Sequence, residues 1–198
     1  MSRYIGPKWR INRREGETVL GSSDKWKRRT SLPGQFPVLK KRPSDYAIQF
    51  REKQKVKRMF GMNESQFVRF YKLALKSPGN TALGLVQLLE MRMDNVVYRL
   101  GFATTRRMAR QFVTHGHITV NGKKHNIPST IVKVGDEIKF KEIADSTYMK
   151  EISEKNKAAV VPAWLTKLEK GGKVKNVPVR DDMDKTIKER LIIELYSR

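Results

Sequence analysis

The stretch LLEMRMDNVVYRLGFATTRRMARQFVTHGHITVNGKKHNIPSTIVKVGDEI, residues 88–138, decides the fold. Its first half is punctuated like a pair of helices. Asp94 suits the N-cap of a short helix carrying Val97 and Leu100, and Gly101 stops it. Thr104 or Thr105 caps the next helix, in which Met108, Ala109, Phe112 and Val113 share one face. Gly116 closes that helix. The second half changes period. HITV alternates, with Ile118 and Val120 inward, and Asn121–Gly122 is a two-residue hairpin signal. IVKVGDEIKF adds two more short strands around Gly135–Asp136. Two short helices leading into a small antiparallel sheet make an α+β module.

The polar residues of this module point to RNA. Arg106, Arg107 and Arg110 project from one side of the second helix, and Lys123 and Lys124 follow the hairpin tip. Together they suit phosphates along an RNA backbone, with His115 or His117 hydrogen-bonding or stacking and Asn121 at the turn. The competing reading is an ordinary solvated helix face. All three histidines lie within HGHITVNGKKH, residues 115–125, and His125 sits across the hairpin, so a zinc site is conceivable. No fourth ligand is evident, and Lys123 and Lys124 repel a cation, so no metal is expected.

Outside the module the charge is more one-sided. The chain of 198 residues has a net charge of +22, and such self-repulsion favours a polyanionic partner. Nucleic acid leads, and an anionic membrane surface comes second. Residues 1–60 hold 17 Lys and Arg against 5 Asp and Glu, so the excess is densest there. Residues 1–44 show no sustained hydrophobic period and carry the basic clusters Arg13–Arg14, KWKRR (25–29) and KKR (40–42). Tyr4, Trp9, Trp26 and Phe36 are interleaved with them. A disordered tail is one reading. An arm that orders on RNA is the sharper one, because a solvating tail rarely keeps tryptophans. In it Arg3, Lys8, Arg10, Arg13, Arg14, Lys27, Arg28 and Arg29 are the phosphate candidates.

Between arm and module lie three helices. Ser44 caps the first, with Tyr46, Phe50, Val56 and Phe60 on one stripe, Arg51, Lys53, Lys55, Lys57 and Arg58 elsewhere, and Gly61 ending it. The second starts at Asn63 and buries Phe67, Phe70, Tyr71 and Ala74, with Arg69 and Lys72 as further rRNA candidates, before Pro78–Gly79–Asn80. TALGLVQLLEM (81–91) is apolar on several sides and reads as buried. After the module a helix around 145–157 is plausible, and 156–185 reads as irregular and basic. Thr186 and Glu189 form a T-x-x-E capping box ahead of a final helix.

Other function classes find little support. No apolar run approaches the roughly 20 residues of a membrane span, and no signal peptide is evident at the start. Cysteine is absent, which excludes disulfides and thiolate sites. Neither G-x-x-x-x-G-K-[ST], G-x-G-x-x-G nor G-x-S-x-G occurs, and acidic residues are scattered beside lysines. An enzyme, a cofactor and a small-molecule substrate are not expected.

Residues 88–138 closely resemble the S4 RNA-binding module, which also occurs in pseudouridine synthases and other RNA binders. RYIGPKWRINRREGE (3–17), PSDYAIQFREKQKVKRMFGMNESQF (43–67) and ERLIIELYSR (189–198) are similar to the small-subunit ribosomal protein S4 family of bacterial or organellar type. The resemblance implies an arm (1–44), a helical domain (45–90) completed by the C-terminal helix (186–198), an S4-type module (91–155) and an irregular basic segment (156–185) packing on it. It implies a protein that binds small-subunit 16S-type rRNA early in 30S assembly, beside ribosomal protein S5 and the path by which mRNA enters, with a role in decoding accuracy. It sets Lys40, Lys41 and Arg42 near mRNA. The segment from Arg51 to Arg58, with Arg92, Arg99, the Arg106–Arg110 face and the hairpin lysines, would face rRNA. The implied location is the ribosome, cytoplasmic or organellar, with no membrane. An S4-module accessory of an RNA-modification or stress pathway is the alternative. Zinc-bearing relatives place Cys where Trp9, Asn12 and Trp26 stand; in the family at large Arg is frequent at Met91, and an apolar residue is more usual at His125.

Overall fold

A computed structural model describes residues 4, 6–21, 31–34, 42–140, 160–168 and 170–197. Arg3, Trp26, Lys27, Arg28, Arg29, Phe36, Lys40 and Lys41 lie outside the described residues, as does the helix expected at 145–157. The contacts divide the chain into two compact units. One combines residues 1–82 with 186–198, and the other is the continuous stretch 83–185.

In the first unit the described residues form four helices and the start of a fifth: α1 (Lys8–Glu15), α2 (Asp45–Met59), α3 (Glu64–Lys76), the first turn of α4 (Thr81–Glu90) and the C-terminal α7 (Glu189–Tyr196). Helix α1 is a departure from the extended arm expected over 1–44. Gly16 ends it in the left-handed region at φ 72°. The fully buried Asn12 then clips the following turn: its amide donates to the Gly21 carbonyl (3.0 Å) and its oxygen accepts from the Leu20 N–H (3.0 Å). Ser44 and Asn63 cap α2 and α3 as expected, accepting from the N–H groups of Ala47 and Gln66. Val56, Phe60, Phe67, Phe70, Tyr71, Ala74 and Ile192 are buried, and the Tyr71 and Tyr196 rings stack at 4.6 Å. Tyr46, expected on the inward stripe of α2, is 54% exposed. It lies in the first turn, where it stacks on Phe50.

The described residues of the second unit form the rest of α4, then α5 (Met93–Arg99), α6 (Arg106–Thr114) and five antiparallel strands. These are β1 (Ile118–Val120), β2 (Lys123–His125), β3 (Glu137–Phe140), β4 (Leu165–Leu168) and β5 (Gly171–Val174), ordered β2-β1-β3-β5-β4. Asn121 (φ 49°) and Gly122 (φ 80°) both take positive φ, the requirement of the tight turn their sequence announced. Ile118, Ile138 and Phe140 pack against Val96, Val97, Leu100, Phe112 and Val113 of the helices. Two departures stand out. Ile131 forms only an isolated bridge with Arg92, so a single strand follows Gly135–Asp136. The stretch 156–185, expected to be irregular, contributes β4 and β5, and its Trp164, Leu165 and Val174 join the same core. A 3-10 turn, Arg180–Asp182, follows.

Candidate nucleic-acid interface

In the second unit Thr105 caps α6, accepting from the Met108 N–H at 3.2 Å, and Ala109, Phe112 and Val113 face the core. That rotation leaves Arg106, Arg107 and Arg110 half-buried on the remaining arc. They are held from below. Arg106 Nε donates to Asn95 Oδ1 (2.8 Å), and its guanidinium lies 4.7 Å from the Tyr98 ring centroid. Asn95 is fixed by the buried Glu90, whose carboxylate also takes both fork nitrogens of Arg99 (2.9 and 2.6 Å). Burial pulls Arg99 down, but the Glu90 carboxylate outweighs it and holds the guanidinium above the ordinary arginine range. For Arg106 burial wins: its pKa is lowered despite Glu90. Arg110 Nη1 lies 3.7 Å from Asp94.

Of the two arginines expected at rRNA here, Arg99 is half-buried beside Glu90, whereas Arg92 is withdrawn from the surface. Arg92 is fully buried, with Nε and Nη2 forked onto Asp94 at 3.1 and 2.7 Å. Asp94 is not the N-cap expected of it; Arg92 occupies that place, and Asp94 sits in the first turn. Asn121, also expected at RNA, is exposed and bonded within the fold. Its amide donates to Asp136 Oδ1 and its oxygen accepts from the Glu137 N–H, both at 2.9 Å, so it fastens the hairpin to β3.

Lys123 and Lys124 are exposed beyond the turn, and the Lys124 stem runs across Gly116, filling the space a Cβ would need. His115 is exposed at the end of α6, with its ring 5.9 Å from that of the half-buried His117. His125 turns elsewhere: its Nε2 lies 2.8 Å from Thr130 Oγ1 and 3.1 Å from the Ile127 carbonyl. The three rings do not converge, and no group of three metal-ligating side chains occurs among the described residues. By strand register Lys139 and Lys173 share a sheet face with Lys124 and Thr119. Sequence reading missed both; alternation in EIKF was a signal for the first, while Gly171–Gly172 hid the strand that carries the second.

In the first unit the basic residues of α2 are neutralised inside the protein. Arg51 and Arg58 both grip Glu15 of α1, whose side chain is buried. Lys53 and Lys57 flank Glu64 at 2.6 and 2.8 Å. Lys55, buried, meets Glu52 (3.0 Å) and Glu17 (3.3 Å) and donates to the Thr186 carbonyl (2.7 Å). Arg51 and Arg58, both expected at rRNA, keep side chains 32% exposed beside Glu15. Lys8, Arg10 and Arg14 of α1, Arg42, and Arg69 and Lys72 of α3 are exposed, and Arg13 is half-buried. Exposed or half-buried cations thus lie on α1 and α3 in the first unit and, in the second, on α6 and beyond the hairpin turn.

The comparisons with known proteins fall on these same segments. Residues 3–90 match the family model for the ribosomal protein S4/S9 N-terminal domain, and residues 91–138 match that for the S4 domain. The chain is 47% identical over 208 aligned residues to a protein of Halothermothrix orenii and over 208 to one of Caldicellulosiruptor bescii. It is 45% identical over 202 to one of Opitutus terrae. Each alignment covers 100% of both chains, and each relative bears the name small ribosomal subunit protein uS4.

Proposed function

We propose, from the premise that this chain belongs to the ribosomal protein S4 family, that it is a structural, non-enzymatic constituent of the small ribosomal subunit and binds its rRNA. The observation that carries the reading is full-length kinship with uS4 proteins. The charge of +22 fits it, since rRNA phosphates relieve the self-repulsion. The finer reading is that the protein binds 16S-type rRNA early and nucleates 30S assembly. It then lies beside ribosomal protein S5 and the incoming mRNA, contributing to decoding accuracy, in a cytoplasmic ribosome. Lys40, Lys41 and Arg42 are our candidates for mRNA contact. Lys8, Arg10, Arg13, Arg14, Arg69, Lys72, Arg107, Arg110, Lys123 and Lys124 are our candidates for rRNA, with His115 and His117 at the edge.

Filter binding to small-subunit rRNA, beside unrelated RNA of equal length, tests this. We expect preferential affinity and a steep fall with salt, a log–log slope of roughly −0.9 per phosphate neutralised on duplex. Equal affinity for both RNAs would sink the reading. In lysate gradients the protein should co-migrate with small subunits and leave them when rRNA is digested.

A further inference from the structure

Helix α3 differs from its neighbour in one respect. Every cation between Arg51 and Arg58 on α2 meets a carboxylate. The one acid of α3, Glu64, is turned toward Lys53, Lys57 and Tyr196. Among the described residues no carboxylate lies within ion-pairing distance of Arg69, Lys72 or Lys76.

These three are also aligned. Phe67, Phe70, Tyr71 and Ala74 face the core of the unit, so Ser65, Arg69, Lys72 and Lys76, spaced four, three and four apart, form one row on the opposite side. At 1.5 Å per residue the row runs about 16 Å, nearly straight along the axis. Val68 and Leu73 flank it, and the six side chains enclose a shallow groove of about 290 Å³. Leu73 is exposed although apolar. The row has no aromatic ring to stack a base, which single-stranded sites use. A straight file of cations with aliphatic flanks matches a sugar–phosphate backbone.

We propose that the outer face of α3 is a docking ridge for the backbone of double-stranded rRNA. Arg69, Lys72 and Lys76 meet successive phosphates, Ser65, whose hydroxyl donates to Asn63 Oδ1 at 3.2 Å, marks one end of the row, and Val68 and Leu73 lie against ribose. The proposal rests on the rRNA-binding reading above and adds to it a surface, a residue (Lys76) and a duplex partner.

The test uses the full chain with Arg69→Gln, Lys72→Gln and Lys76→Gln together, since glutamine keeps helix propensity. A thermal melt confirms the fold. We expect the small-subunit rRNA affinity to fall at least about tenfold, and the log–log salt slope to shrink by about 2 to 3. Because the chain lacks cysteine, Ser65→Cys places a single thiol at the end of the row. Bound rRNA should shield it from a maleimide. If the wild-type chain fails to prefer small-subunit rRNA, the function reading falls and this proposal with it. If the wild type binds but the triple variant keeps its affinity and slope, the ridge is wrong and the function reading stands. A thiol labelled at the same rate with rRNA bound also overturns the ridge. So does protection seen in assembled subunits but not with rRNA alone, which would assign the face to a protein partner.

Discussion

At the scale of single residues, the pair Arg92–Asp94 shows how a basic residue in an RNA-binding module becomes structural. Residues two apart on a helix do not face each other. Arg92, however, is extended (φ −67°, ψ 141°) just before α5, and that conformation swings its guanidinium back onto Asp94. The pair is buried, so removing one partner strands the other. We expect Asp94→Ala to cost about 3 kcal/mol or more in denaturant unfolding. The compensated double change Arg92→Met with Asp94→Leu should cost less. A double variant as unstable as Asp94→Ala would show that the ionic bond itself, not the stranded charge, dominates. Gly171 and Gly172 make a similar point about size. A Cβ on Gly171 would strike the Ile138 carbonyl, and one on Gly172 the buried Leu100 side chain. Two residues that weaken an isolated strand are here what lets β5 fit between its neighbours.

At the scale of elements, α7 is held by polar bonds the sequence only half announced. Helix α7 starts at Glu189 with Lys188 at its N-cap, and the Lys188 N–H donates to Glu52 of α2 at 2.9 Å. At the other end Tyr196 donates to Glu64 at 2.9 Å. Burial opposes ionisation of Glu64, but hydrogen bonds from Lys53, Lys57 and Tyr196 outweigh it and bring its pKa down to about 2. Burial, with the Glu64 carboxylate, pushes Tyr196 up, keeping its hydroxyl a donor. A carboxyl depressed in the folded state stabilises fully above its unfolded pKa of about 4.3 and loses that stabilisation as pH falls toward 2. Glu64→Gln should therefore lower the Tm at pH 7, with the gap to wild type closing between about pH 4 and pH 2. A gap that persists unchanged at pH 2 would refute the assignment. Local signals were legible because they are local: Ser44, Asn63 and Thr105 cap as read, and Asn121–Gly122 turns as read. What stayed hidden depends on distant partners. Glu15 meets Arg51 across 36 positions, and Glu52 meets Lys188 across 136. Nothing near Lys53 or Lys55 in the sequence says that their charge is already spent on Glu64 and Glu17.

At the scale of the whole molecule, charge sets the behaviour of the free protein. With +22 and no polyanion present, repulsion among cations opposes compactness. Raising salt from about 20 to about 200 mM shortens the Debye length and should raise the Tm of the free chain by several degrees. The same change should weaken its hold on rRNA. A Tm that falls with salt would mean that the internal pairs around Glu15 and Glu64 outweigh the net repulsion. The division of the chain carries one more consequence. The first unit is built from residues 1–82 and 186–198, with the whole second unit between them. A chain emerging from N- to C-terminus therefore presents the second unit complete while the first still lacks α7. Until that helix is synthesised, Glu52 has no Lys188 N–H to accept and Tyr71 has no Tyr196 to stack on. The segment made first is thus finished last, and a chain released early would carry a closed RNA module beside an unclosed helical unit, a difference that separates full-length from truncated product by conformation alone.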